Sequence, residues 1–200
     1  MTTDPRAPEA DVAVSSRARF IEAALDLFVE HGYNGTSLQM IGDRLGVSKA
    51  AVTYHFKSKD ELLAAVITPA FDELTHLLEE SEAIRRESAR RTHALDGYVE
   101  YLISQRKVAS WLSRDVAALG HPVVYEPAQQ LTGRIDALLI AGPHDEIAQI
   151  WGSAITQALT GPILNPIDIT DDDLREQLLA IGHHLIRGHQ SAVRRRSEGR

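Results

Sequence analysis

Apolar residues recur at helical spacing along almost the whole chain, and no alternating stretch runs for more than a few residues, so the pattern predicts an all-α fold. Phe20, Ala24, Leu27 and Phe28, widened by Ile21 and Leu25, form a stripe on a helix expected from about Ser16 to His31. Two glycines in His31-Gly32-Tyr33-Asn34-Gly35 then mark a turn. Leu38, Ile41 and Leu45 share one face of a shorter helix, for which Thr36 and Gln39 have the spacing of a reciprocal capping box. Gly46 is placed to end it, because glycine takes the left-handed conformation at little steric cost. Ser48 is expected to cap a third helix, running from Lys49 to about Phe56 and turning Val52 and Phe56 inward.

Ser58 and Glu61 repeat the capping-box spacing. Further helices are expected at about Lys59 to Glu80, Arg91 to Gln105, Val108 to Leu119, Val123 to Ile140, Asp145 to Leu159 and Asp171 to His189. Breaks at Gly120-His121-Pro122, Ala141-Gly142-Pro143 and from Gly161-Pro162 through Asn165-Pro166 separate the later ones. Pro69 falls inside the first of these, where its missing N–H predicts a kink. Thr170 before three aspartates is a strong helix start that suits the positive end of the helix dipole. The resulting division is a disordered arm over 1–14, a helix-turn-helix domain over 15–60, a helical domain over 61–191 and a basic disordered tail over 192–200.

The chemistry lies on the third helix. Short side chains at Ala50 and Thr53 let its backbone sink into the major groove, where they meet thymine methyls while Lys49 reaches guanine acceptors. Tyr54, His55, Lys57 and Lys59 follow, suited to phosphate oxygens, which fix register more than sequence preference. The same spacing also fits an ordinary helical hairpin whose small residues only pack against a neighbour. Charge at first argues against nucleic acid, because the 200-residue chain carries −7. Its distribution changes that picture. Residues 15–60 hold six basic groups (Arg17, Arg19, Arg44, Lys49, Lys57, Lys59) against five acidic ones (Glu22, Asp26, Glu30, Asp43, Asp60), so this region is +1 and the acid lies elsewhere. Phosphate binding by such a surface is expected to weaken steeply with salt.

From Arg17 to Leu63 the chain resembles the DNA-binding domain of the TetR family of transcriptional regulators. The most specific pieces are GY-x-GTS from Gly32 to Ser37, LGVSKAAV from Leu45 to Val52 and YHFKSKDEL from Tyr54 to Leu62. The resemblance implies that Thr36 and Ser37 touch a phosphate, that Ser48, Lys49, Ala50 and Thr53 enter the groove, and that Tyr54, His55 and Lys59 clamp the DNA backbone. Many members carry an aromatic or basic residue where Thr53 stands, so base preference cannot be carried over. Tyr33 fits either a core aromatic or a phosphate contact, and the core is favoured.

The resemblance further implies that the rest of the chain is a helical-bundle ligand-binding and dimerisation domain. Tyr98, Tyr101, Leu102, Trp111, Leu112 and Val116 would lie on two helices that wall a central pocket, with Arg114, Gln149 and Trp151 as further effector-contact candidates. Such pockets are mostly apolar with a few polar anchors, yet aromatics at helical spacing equally fit a filled core. Ile147, Ile150, Ala154, Ile155 and Ala158 make one apolar face, and Leu174, Leu178, Ile181 and Leu185 another. Gly152 and Ala158 would allow close helix approach. In TetR-like proteins this pair of helices meets its symmetry mate as a four-helix bundle. Two recognition helices would then stand roughly 34–36 Å or somewhat more apart and read a near-palindromic double-stranded operator. The same stripes also fit an intramolecular core.

No long apolar run is present, so no membrane span is expected. The absence of cysteine excludes disulfides and thiolate metal sites and fits a reducing, cytoplasmic setting. No nucleophile elbow, phosphate loop or zinc helix occurs, so neither catalysis nor a cofactor is expected. His183, His184 and His189 are poorly spaced to share an ion, and no metal site is assigned. The chain therefore reads as a dimeric regulator, a repressor released from its operator by an unidentified small-molecule effector. The alternatives are a non-catalytic helical ligand-binding or scaffolding protein with a vestigial DNA-binding head, or an activator of the same family.

Overall fold

A computed structural model describes residues 7–140, 145–165 and 167–198, with side chains described from Ser16 to Arg195 within those spans. Among the described residues all regular structure is helical: α1 (Ala7–Gly35), α2 (Leu38–Leu45), α3 (Lys49–His55), α4 (Lys59–Ala83), α5 (Glu87–Ser104), α6 (Arg106–Leu112), α7 (Val116–Leu119), α8 (Pro122–Leu139), α9 (Glu146–Leu164) and α10 (Asp171–Glu198).

The ends of the chain differ from expectation. The backbone is helical from Ala7, within the arm expected to lack structure, and α10 continues to Glu198, through most of the expected tail. Ala7-Pro8-Glu9-Ala10-Asp11 is a favourable helix start, placing a proline and two acidic residues within the first five positions. The turn at residues 31–35 is marked by Gly32 (φ 73°, ψ 164°), which breaks the helical path of α1. Helix α5 starts at Glu87, earlier than expected, and the helix expected from Val108 to Leu119 divides into α6 and α7. Asp115 caps α7 by accepting the Ala118 N–H at 3.0 Å. Pro162 does not end α9, which runs to Leu164.

Two compact units emerge. The first comprises the chain up to Pro69 together with Arg114–Tyr125, and the second Ala70–Ser113 with the chain from Glu126. The first unit thus passes the boundary expected at residue 60 and takes in α7. Pro69 lies inside α4 at the division, and its ring leaves the Ala65 carbonyl without its helical donor.

In the first unit α2 packs on α1 and α3, and α7 on α1. Phe20, Ala24, Leu27, Phe28, Ile41, Val52, Phe56, Leu62 and Leu63 are buried. In the second unit α10 packs on α5 and α9, and α6 on α9. Leu78, Leu95, Val99, Leu102, Ile135, Leu139, Ile155, Leu159 and Leu178 belong to its core. Two features bring its helices together. A Cβ on Gly152 would stand 2.9 Å from the Asp136 carbonyl oxygen, so that glycine serves the approach of α9 to α8. Nearby, the Thr156 hydroxyl donates to Asp136 Oδ1 at 2.8 Å.

Candidate nucleic-acid interface

The reading head is built from caps. Ser37, extended at φ −129° and ψ 157°, is the N-cap of α2 and accepts the Met40 N–H at 3.3 Å. Thr36 was the residue expected there, and its burial explains the change: it is 2% exposed and its hydroxyl donates to the Leu27 and Gly32 carbonyls at 3.1 and 2.9 Å. Gln39 correspondingly does not reach back but donates to Asp43 at 2.7 Å. Helix α2 closes in a Schellman turn, with Val47 N–H on the Gly42 carbonyl at 2.9 Å and Gly46 N–H on that of Asp43 at 3.2 Å. Gly46 adopts the left-handed conformation at φ 68°, as its position predicted.

Ser48 then starts α3 by accepting the Ala51 N–H at 3.2 Å. Val52 and Phe56 are fully buried and pin the helix, while Ser48, Lys49, Ala50, Thr53 and Tyr54 are exposed. Tyr54 is 83% exposed, unusual for an aromatic without a binding role. The Thr53 hydroxyl donates to the Lys49 carbonyl at 2.9 Å, so its hydroxyl is engaged by its own helix while the residue stays exposed. His55 is half-buried between the Phe20 and Tyr54 rings, 5.2 Å from each. Ser58 accepts the Glu61 N–H at 3.0 Å, and Glu61 returns to the Lys57 N–H at 2.8 Å, one residue earlier than a standard capping box.

Two expected phosphate contacts are engaged elsewhere. Besides Thr36, Lys59 Nζ donates to the Tyr33 carbonyl at 2.8 Å and lies 4.3 Å from the centre of its ring. Tyr33 itself is the core aromatic favoured from sequence, buried and edge-on to Phe28. Its hydroxyl donates to Asp60 Oδ1, and burial, reinforced by that carboxylate, pushes its pKa up. Sequence reasoning missed α7, whose Asp115 accepts the Tyr33 N–H at 2.5 Å and whose neighbour His121 lies 3.8 Å from Asp60. A span of 82 residues separates Asp115 from Tyr33, beyond any local signal.

The expected effector residues divide. Tyr98 and Tyr101 are stacked at 6.1 Å, and Tyr98, Leu102 and Trp111 are buried. Burial pushes both phenol pKa values up. Gln149 is exposed, Arg114 belongs to the first unit, and Trp151 turns to His189 and Gly188 on α10. On α9, Gln149 and Trp151 thus face solvent and α10, because successive helical residues point to different neighbours.

The expected dimer stripe divides as well. Ile155, Leu174 and Leu178 are core residues, so they are not available to a partner. Ile150 at 66% and Ile181 at 38% are exposed, Ala154 is exposed, and Ile147, Ala158 and Leu185 are half-buried. Among the described residues no group of three or more His, Asp or Glu side chains is arranged to hold a metal ion, and no helix is long and apolar enough to cross a membrane.

Comparison with known proteins matches residues 20–66 to the model of bacterial regulatory proteins of the tetR family. The transcriptional regulator RutR of Escherichia coli K12 is 43% identical over 61 residues, covering 30% of this chain and 29% of that protein. The chain therefore spans a little under a third of the length of that relative. A transcriptional regulator from Aquifex aeolicus VF5 superposes with a TM-score of 0.64 at 26% identity, covering 82% of this chain and 95% of the other. AibR, solved with isovaleryl coenzyme A and operator DNA, gives a TM-score of 0.62 at 17% identity over 82% of this chain and 96% of its own.

Proposed function

The chain belongs, by its DNA-binding domain, to the tetR family of bacterial regulatory proteins, and from that premise we propose that it is a ligand-responsive, sequence-specific transcriptional regulator acting as a homodimeric repressor. The observation that carries the reading is the exposed face of α3, where Ser48, Lys49, Ala50, Thr53 and Tyr54 are held out by the buried Val52 and Phe56. Lys49 and Thr53 read base edges in this scheme. Ser37, Tyr54, His55 and Lys57 position the phosphates.

The exposed Ile150, Ala154 and Ile181 on α9 and α10 support an isologous interface, which would double the DNA contacts and require a near-palindromic operator. The stacked pair Tyr98 and Tyr101 with Leu102 and Trp111 supports an effector site in the second unit. Such a ligand acts only through a difference in its affinity for the operator-bound and free conformations. AibR, whose structure holds both isovaleryl coenzyme A and operator DNA, is a precedent on the same fold.

Selection of bound duplexes from a random DNA pool, followed by sequencing, tests the reading. Enrichment of a two-fold symmetric motif is expected. A folded dimer that enriches nothing would leave the chain a ligand-binding or scaffolding protein.

A further inference from the structure

Arg17 lies on α1 one turn before Phe20 and on the same face, so the apolar stripe that packs α1 against its neighbours ends in a charge. Its guanidinium carbon stands 4.6 Å from the centre of the Phe56 ring. Phe56 is fully buried and is the extended C-cap residue of α3, flanked in the chain by His55 and Lys57, two residues assigned above to the phosphates. Phe20 joins these groups, edge-on to Phe56 at 6.5 Å and 5.2 Å from the His55 ring. Arg17 itself is exposed, and Arg19, two positions on, stands on the opposite face of α1.

Other cations of the first unit are already engaged. Arg44 donates to both carboxylate oxygens of Glu30 at 3.2 and 2.6 Å, and Lys59 donates to the Tyr33 carbonyl at 2.8 Å. Among the described residues the Arg17 guanidinium has neither a hydrogen-bond acceptor nor an ion-pair partner. The face of an aromatic ring attracts a cation through its quadrupole, and that attraction uses none of the five N–H donors. The charge is therefore held in place with its hydrogen-bonding capacity unspent. A side chain anchored in this way loses less rotamer freedom when a ligand docks, and the guanidinium fork matches two oxygens of one phosphate.

We propose that Arg17 is a further DNA-contact residue, whose guanidinium, braced on Phe56, donates to a backbone phosphate next to those met by His55 and Lys57. Helix α1 then does more than support the reading helix, because it grips the duplex at the exit of α3. A phosphate contact carries no base identity, so Arg17 contributes affinity and register and leaves sequence preference to Lys49 and Thr53. The proposal rests on the DNA-binding reading and deepens it.

The full chain is titrated with random-sequence duplex DNA over a salt series, a probe that suffices because phosphates are common to every sequence. Arg17→Met keeps the length and the cover over Phe56 but removes the charge, so it is expected to bind about tenfold more weakly and to make the salt slope shallower by about one. Duplex selection with the same variant is expected to return the parent's preferred base pairs. Arg17→Lys keeps the charge and loses the fork, so it is expected to restore the slope and to bind about two- to fivefold more weakly than the parent. It also serves if Arg17→Met does not fold. An arginine that only covers Phe56 predicts a lower urea midpoint for Arg17→Met with the salt slope of the folded protein unchanged. The proposal is overturned by that result, by changed base preference, or by parent-like affinity in folded Arg17→Met, or in Arg17→Lys where it stands in, while the parent binds DNA. A folded parent that binds no duplex would instead overturn the DNA-binding reading, and this proposal with it.

Discussion

A Cβ on Gly42 would stand 2.8 Å from the carbonyl oxygen of Val47, so the turn between α2 and α3 closes onto a position where only hydrogen fits. Backbone cannot retreat as a flexible side chain can. Gly42→Ala is therefore expected to cost about 1–3 kcal/mol and to displace α3, weakening DNA binding beyond what the lost folded fraction explains. Gly46→Ala is the informative contrast. Its Cβ would meet nothing within 4 Å, and only the left-handed φ of 68° is strained, at about 1–2 kcal/mol. Urea unfolding beside DNA titration should show a stability loss for both variants and an affinity loss of the folded protein for Gly42→Ala alone.

On the proposed DNA-facing surface Lys49, Thr53 and Lys57 are exposed, whereas Lys59 is half-buried. Lys49→Ala and Thr53→Ala are expected to change which base pairs are preferred. Lys57→Ala should weaken all sequences alike and reduce the salt slope by about one. Lys59→Ala is expected to behave differently from Lys57→Ala. Its ammonium is bonded to the Tyr33 carbonyl and stacked on that ring, so its loss should lower stability as well as affinity. Binding measured over a salt series with selected and scrambled duplexes distinguishes these outcomes, and equal, sequence-independent losses at all four positions would reject the division of roles.

The parts of the head that were legible in the sequence depend on a few adjacent residues. Gly46 in the left-handed region, Ser48 as a cap and the inward pair Val52 and Phe56 follow from local sterics and helical spacing. Thr36 and Ser37 show where that reasoning ends. Both hydroxyls are chemically able to cap α2, and the choice fell to Ser37 because the Leu27 and Gly32 carbonyls take the Thr36 hydroxyl. Likewise a stripe such as Ile150, Ala154 and Ile155 defines an apolar face without stating which member meets α5 and which meets solvent. The docking of Asp115 on Tyr33 depends wholly on the tertiary fold.

The same distinction makes the proposed interface testable. Ile150→Glu places a charge on a side chain that is 66% exposed in the protomer, so it is expected to leave protomer folding intact, abolish dimers and weaken operator binding. Leu178→Ala removes a core side chain that is 1% exposed and is expected to cost about 2–5 kcal/mol whatever the oligomeric state. Light scattering and urea unfolding give independent readings. A dimeric Ile150→Glu would move the interface elsewhere.

His189 gives the second unit a predictable response to acid. Its ring is buried against Trp151, and burial followed by the charge of Arg91 lowers its pKa from the usual 6.5, while Asp145 opposes the shift. As pH falls below that value, the unfolded chain takes up the proton before the folded one. Protonation therefore favours unfolding, and the contribution of this residue is present in full above about pH 6.5 and is lost progressively as pH falls through the lower folded value. Below the folded value both states are protonated and the dependence levels off. His189→Gln removes the titrating group, so the stability of that variant, measured by urea unfolding, is expected to fall less than that of the parent over this window. Parallel pH profiles for the two proteins would show that His189 titrates alike in the folded and unfolded chain.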